Sequence, residues 1–278
     1  MLKAIQIAYN KDFEKKCRYA SEVGFSNISV NYTEITEKTE DAWKKINDDI
    51  LRILSENNLG CIQSHPHYYN PFDSSEKIDE DLEFFIRQSI ISSGYIGAKY
   101  CVIHPRTSFT SSFLLSRSLE DNKSWLSPLV ECAKKHNTKI AVENMPIFPG
   151  SKAVSPLFSS NPEHLIWLCD FFKYDSLGIC WDFGHANLIK ADQVPCLEAM
   201  GSLLDCTHVH NNWGNRDDHA PPVYGNIAWD RIMPALERIA YKGPLTLETH
   251  CWYDDDHLLR SFAKHNYDSL VYLESLIK

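Results

Sequence analysis

Six short apolar runs in this chain end on histidine or a carboxylate. Ser64-His65-Pro66-His67 closes the first and Ile103-His104-Pro105 the second. Val142-Glu143-Asn144, Trp181-Asp182-Phe183-Gly184-His185, His208-Val209-His210-Asn211 and Leu247-Glu248-Thr249 follow, and Asp217-Asp218-His219 trails the fifth run. Imidazole nitrogen and carboxylate oxygen together suit Zn²⁺, Mn²⁺, Fe²⁺ or Co²⁺. Carboxylates gathered without a cation raise one another's pKa and resist burial. A divalent metal, zinc or manganese foremost, removes that cost, and the donor set is large enough for one to three ions. A histidine alone at a strand end is more often a hydrogen-bonded structural residue, and a lone glutamate a helix cap or ion-pair partner. The repetition over six successive runs is what points to metal. His67 and His210 carry less weight. His210 lies two residues past His208, so strand alternation puts both on one side, where His210 would support the ligands or touch substrate. His136, His164, His250, His257 and His265 fall outside the pattern and read as surface or structural.

Something must bring residues nearly 200 positions apart to one place. Eight runs rich in β-branched or apolar residues recur: Ala4–Tyr9, Asn27–Tyr32, Cys61–Pro66, Tyr100–Pro105, Lys139–Met145, Leu177–Gly184, Cys206–Asn211 and Pro244–Thr249. Segments of helical period separate them. In Asp81–Gly94 the residues Leu82, Phe85, Ile86 and Ile90 share a face; in Thr39–Asn57 so do Trp43, Ile46, Ile50, Leu51 and Leu54. Strands alternating with helices give a parallel sheet. Eight such units in 278 residues predict a single-domain (β/α)₈ TIM barrel over residues 1–278. A dinucleotide fold would place glycines after the first strand, and Ala8-Tyr9-Asn10-Lys11 stands there instead. In a barrel the C-terminal strand ends converge on one mouth, so the six polar ends would meet. The Pro- and Ser-rich loop Pro146–Pro162 would lie over that mouth as a lid or substrate loop. Trp181 and Trp229 read as core, and Trp213 and Trp252 as pocket-lining.

Composition narrows the function. With 28 basic and 37 acidic side chains the net charge is −9. That repels phosphate backbones at long range, so a nucleic-acid partner is not expected. None of the nine cysteines forms a C-x-x-C pair, which argues against a thiolate zinc site or a disulfide framework. No apolar run reaches the roughly 18 residues of a membrane span and no signal peptide is recognisable. A reducing cytoplasm is the expected location.

At these residues the sequence resembles the xylose-isomerase-like barrel superfamily, which includes sugar and sugar-phosphate isomerases and epimerases and apurinic endonucleases of the endonuclease-four type. The resemblance spans essentially the whole chain. It is most specific in His208-Val-His-Asn-Asn-Trp-Gly, Asp217-Asp218-His219, Gly225-Asn-Ile-Ala-Trp229 and Leu245-Thr-Leu-Glu248. The resemblance implies one metal held by Glu143, Asp182, His208 and Glu248, with the two glutamates as the proton-transfer pair of an epimerase and His185 touching substrate. Matches to the additional ligands of the endonuclease branch also exist: His65, His104, His185, Asp217 and His219. His65, His210 and Trp213 are further substrate-contact candidates. Where the family loop commonly reads Pro-Gly-x-Gly, this chain has Pro222-Val223-Tyr224-Gly225, so the pocket wall there differs.

The leading expectation is a divalent-metal-dependent sugar or sugar-phosphate isomerase or epimerase, moving a proton through a metal-stabilised enediolate. The alternative is a di- or trinuclear zinc phosphodiesterase resembling apurinic endonuclease. A non-catalytic metal-stabilised barrel is a third reading. A small-molecule partner is expected, with homo-oligomers allowed.

Overall fold

A computed structural model describes residues 1–67, 80–107, 115–146 and 157–277. Its eight parallel strands close in sequence order into one barrel. They are β1 (Leu2–Ala8), β2 (Asn27–Asn31), β3 (Gly60–His65), β4 (Tyr100–Ile103), β5 (Lys139–Glu143), β6 (Leu177–Asp182), β7 (Leu204–Val209) and β8 (Pro244–Leu247). The helices are α1 (Phe13–Val23), α2 (Glu40–Glu56), α3 (Glu80–Tyr95), α4 (Leu115–Lys135), α5 (Pro162–Phe172), α6 (Phe183–Leu188), α7 (Gln193–Met200), α8 (Trp229–Arg238) and α9 (Asp256–Ser275). No helix among the described residues is long and apolar enough to cross a membrane. All nine cysteines are free thiols.

Several strands stop short of the sequence-based bounds, for identifiable reasons. β3 ends at His65 and β4 at Ile103, just before Pro66 and close to Pro105, which have no N–H for a ladder. β6 ends at Asp182 because its Oδ1 accepts the His185 N–H at 2.6 Å and starts α6. Phe183 and Gly184 are therefore helical, not strand. The strand endings leave the mouth residues at most one position from the last strand residue, on either side of it.

Thr39 caps α2, its hydroxyl accepting from the Ala42 N–H. The buried face of α2 is Trp43, Asn47, Ile50, Ile53 and Leu54. Leu51, expected on that face, is exposed, and Ile53 takes its place; periodicity tolerates a one-position rotation of the face. Trp43 packs on Tyr32 at 5.7 Å. Inside the barrel Tyr100, Val102, Ala141, Cys180 and Cys206 form a separate apolar cluster. The strands thus have apolar neighbours on both faces, which explains why they read as continuous apolar runs.

The fit between helices leaves little slack. A Cβ on Gly94 of α3 would lie 1.8 Å from the His136 carbonyl oxygen at the end of α4. Backbone cannot retreat as a side chain can. Gly94→Ala is expected to cost about 3 kcal/mol in thermal or denaturant unfolding, at the upper end for overpacking. A change within about 0.5 kcal/mol would show that α3 and α4 can part there. The long loop after β5 falls, from 147 to 156, outside the described residues.

Candidate metal centre

The barrel delivers the polar strand ends to one point. Glu143 closes β5, Asp182 closes β6, His208 is next to last in β7, and Glu248 follows β8. Asp182 pairs in register with His208. Asn144 fastens β5 to β6 beyond the ladder: its amide donates to the Asp182 carbonyl at 2.9 Å and its Oδ1 accepts the Asp182 N–H at 2.6 Å. The V-E-N sequence therefore fixes Glu143 and Asp182 relative to each other.

Among the described residues donor atoms fall into three groups, each compact enough to hold an ion. They are Glu143, Asp182, His208 and Glu248; His65, His104 and Glu143; and His185, His210, Asp217 and His219. Glu143 belongs to the first two. In the first group His208 Nδ1 is the hub, 3.1 Å from Glu143 Oε1, 3.0 Å from Glu248 Oε2 and 3.7 Å from Asp182 Oδ2. In the second, His65 Nε2 and His104 Nε2 approach to 3.1 Å, and His104 Nε2 lies 3.2 Å from Glu143 Oε2. In the third, Asp217 Oδ2 is 3.3 Å from His185 Nε2 and 3.2 Å from His219 Nε2.

The imidazoles are held in one orientation. His65 Nδ1 donates to the Pro66 carbonyl at 3.0 Å, His185 Nδ1 to the Asn144 carbonyl at 2.8 Å, and His219 Nδ1 to the Glu248 carbonyl at 2.8 Å. A carbonyl only accepts, so each Nδ1 carries the proton and each Nε2 faces the cluster. Imidazoles that ligate metals are oriented in this way. His219 is held at φ 45°, a left-handed conformation that strains a residue other than glycine. The bridge of Asn211 to Ala220 folds the loop back and brings Asp217 and His219 over the mouth.

The charges of the cluster act on one another. Burial alone would raise the carboxyls of Glu143 and Glu248, but the imidazole of His208 holds both well below the carboxylate range. Burial alone would lower His208 and His185; Glu248 and Glu143 push the first well up, and Asp182 and Asp217 the second. Burial and the neighbouring His104 take His65 down to about 4. Attraction between these imidazoles and carboxylates thus offsets part of the cost of burying them together. Among the described residues Asp217 Oδ1 is buried without a hydrogen-bond partner, and Glu143 Oε2 meets only imidazoles, His104 Nε2 at 3.2 Å and His65 Nε2 at 4.0 Å. Buried carboxylate oxygens left open in this way fit a divalent ion.

Above the cluster lies a cavity of about 260 Å³, lined by His65, His104, Glu143, His185, Asp217, His219 and Glu248, and also by Gln6, Asn31, Thr33, Met145, Pro146 and His250. No lysine or arginine is among these. Sequence reasoning had no signal for Gln6, Asn31 and Thr33, since polar residues alternate in ordinary strands. Gln6 donates to Glu248 Oε1 at 3.1 Å and accepts from Asn31 at 3.1 Å. His250, read as structural, stacks on His219 with ring centres 4.6 Å apart and faces the cavity.

Other candidates sit elsewhere. His210 is fully buried behind His219, stacked at 4.2 Å, and its Nε2 meets Asp182 Oδ1 at 3.0 Å; it does not line the cavity. Trp213 is 63% exposed and lies outside the cavity. His67 stacks on Phe85 at 4.6 Å and joins none of the three groups. Gly184 does not have positive φ. Glycine is required there because a Cβ would lie 1.9 Å from the His210 ring.

Residues 17–268 match the family model of the xylose isomerase-like TIM barrel. The chain belongs to that family. This xylose isomerase-like barrel is 27% identical over 239 residues to the protein MJ1311 of Methanocaldococcus jannaschii, covering 80% of this chain and 79% of that one. Among solved structures, a D-tagatose 3-epimerase-like protein superimposes with TM-score 0.72 at 20% identity, covering 98% of each chain. The IolI protein, solved with a binding zinc atom, superimposes with TM-score 0.74 at 14% identity, again over 98% of each chain. At these identities the structural matches establish the fold.

Proposed function

We propose that this barrel is a divalent-metal-dependent isomerase or epimerase of a neutral sugar. The carrying observation is the group around His208 Nδ1, where Glu143 and Glu248 reach one point from strands three apart, with a cavity beside them. When bound there, a divalent cation would polarise a substrate carbonyl and acidify the adjacent C–H. Glu143 and Glu248, each offering a carboxylate to the cavity, would remove the proton and return it. Gln6 holds Glu248 by one oxygen and leaves the other toward His208. Asn31, Thr33 and His250 offer hydrogen bonds to hydroxyls. His185, locked by Asn144, would contact substrate. The D-tagatose 3-epimerase-like neighbour and the zinc in the IolI structure support this reading.

The charge of the site favours one class of substrate. Among the described residues the site holds four carboxylates, Glu143, Asp182, Asp217 and Glu248, and no lysine or arginine lines its cavity. One divalent ion leaves the site negative, which suits a neutral ketose better than a sugar phosphate. Three ions would make it positive and suited to a phosphodiester. That second reading, a multinuclear phosphodiesterase, is favoured specifically by the facing Nε2 atoms of His65 and His104 and by the His185–Asp217–His219 group.

One experiment separates the two. The purified protein is titrated with Zn²⁺ and with Mn²⁺, the bound ions are counted, and each state is offered a panel of neutral ketoses in D₂O and bis(p-nitrophenyl) phosphate. Deuterium uptake at carbon with a single ion is the expected result. Three ions with phosphodiester cleavage and no exchange would replace the isomerase reading with the second.

A further inference from the structure

The metal cavity adjoins a larger one. Gln6, Asn31, Thr33 and His250 line both it and a second cavity of about 450 Å³ on the side of β1, β2 and β8. Beyond that shared collar the walls change character. Ile5, Ile7, Tyr19, Leu259 and Phe262 line the second cavity between the barrel and helices α1 and α9. Ala8, Ala20 and Ala263 line it too, and larger side chains at these positions would close it. Among the described residues its only charged lining residues are Lys16, which is half-buried, and the exposed Glu34. Trp252 at its lip is 82% exposed. Close-packed interiors rarely leave such space between layers. An apolar hollow with a few convergent polar groups is the usual form of a ligand site.

The two cavities differ in what they can hold. The metal cavity, about 260 Å³, falls below the roughly 300–1,000 Å³ of sites for larger ligands, while the second falls within that range. Neutral amides of Gln6 and Asn31 stand between them, able to bond hydroxyls and unable to attract an anion. We propose that the second cavity is the other half of one binding site, and that the sugar carries an apolar, ring-sized substituent seated there. The polyol end then occupies the metal cavity, which rests on the isomerase or epimerase reading above. The substrate class is a keto-sugar bearing an aryl or comparable apolar group rather than a bare ketose.

The test uses the metal-loaded, full-length protein with phenyl and methyl β-D-glucopyranoside as non-reacting probes sharing one polyol head. Binding is followed by calorimetry and by tryptophan fluorescence. Phenyl glucoside is expected to bind at least about tenfold tighter, the scale on which small apolar groups are distinguished in apolar pockets. Ala263→Phe, which fills the hollow, should abolish that preference and leave methyl glucoside unchanged. Trp252→Ala, at an exposed position where folding is not at stake, should reduce it. Equal affinity for the two probes, binding of neither, or a phenyl preference that survives both substitutions would overturn the proposal. Loss of deuterium exchange alone, with the phenyl preference intact, would instead count against the isomerase reading and leave the apolar subsite standing.

Discussion

Glu143→Gln is expected to lower turnover by roughly 10²–10⁴-fold, the usual contribution of a proton-transferring carboxylate. The variant keeps the shape of the side chain and removes its charge. Because Glu143 is common to two of the three donor groups, metal should be lost as well as rate. Its Oε1 lies 3.1 Å from His208 Nδ1 and its Oε2 lies 3.2 Å from His104 Nε2. Bound-ion counts on the variant should therefore fall below those of the wild type at equal free metal. Full turnover on an identified sugar, or an unchanged ion count, would remove Glu143 from the role given to it.

The second large effect concerns Asp182 and stability. Its carboxylate caps α6 through the His185 N–H and pairs with His210 at 3.0 Å, all in a fully buried setting. Asp182→Ala leaves His210 without that partner and α6 without its cap. Removing one member of a buried pair costs about 3–5 kcal/mol, and the cap is included in that loss. Asp182→Asn is the gentler companion, since it retains a capping oxygen. Wild-type protein should gain about 2.7 kcal/mol when free metal is at 100 times its Kd, because the ion binds the folded chain alone. Neither variant should show that gain in full. Unfolding curves with and without Zn²⁺ or Mn²⁺ provide the check, and an undiminished gain in Asp182→Asn would show that the metal binds elsewhere.

The barrel was legible because both faces of its strands are covered, which leaves near-continuous apolar runs such as Leu177–Asp182. The convergence of the polar strand ends was legible because histidine and carboxylate interrupt those runs at the same place each time. The sequence could not show which way a side chain turns once the ladder ends. His210 was expected near His208 and is there, yet it lies behind His219 instead of lining the cavity. Gln6 and Asn31 carry no compositional mark, and only closure of β1 against β8 sets Gln6 beside Glu248. His250 lies two residues past Glu248, outside any periodicity, and only the fold of the loop carrying His219 stacks the two rings.

The donor groups come from β3 through β8 and the loop after β7, whereas β1 and β2 contribute none and instead supply Gln6, Asn31 and Thr33 to the cavity. Within the first 36 residues the chain can therefore be rewritten without touching a metal donor. A library confined to Ala8 and Thr33 would vary the cavity walls while keeping the Gln6–Glu248 hydrogen bond and every candidate donor. The division separates wall from donors: two adjacent strands shape the cavity while the other six carry the donor groups.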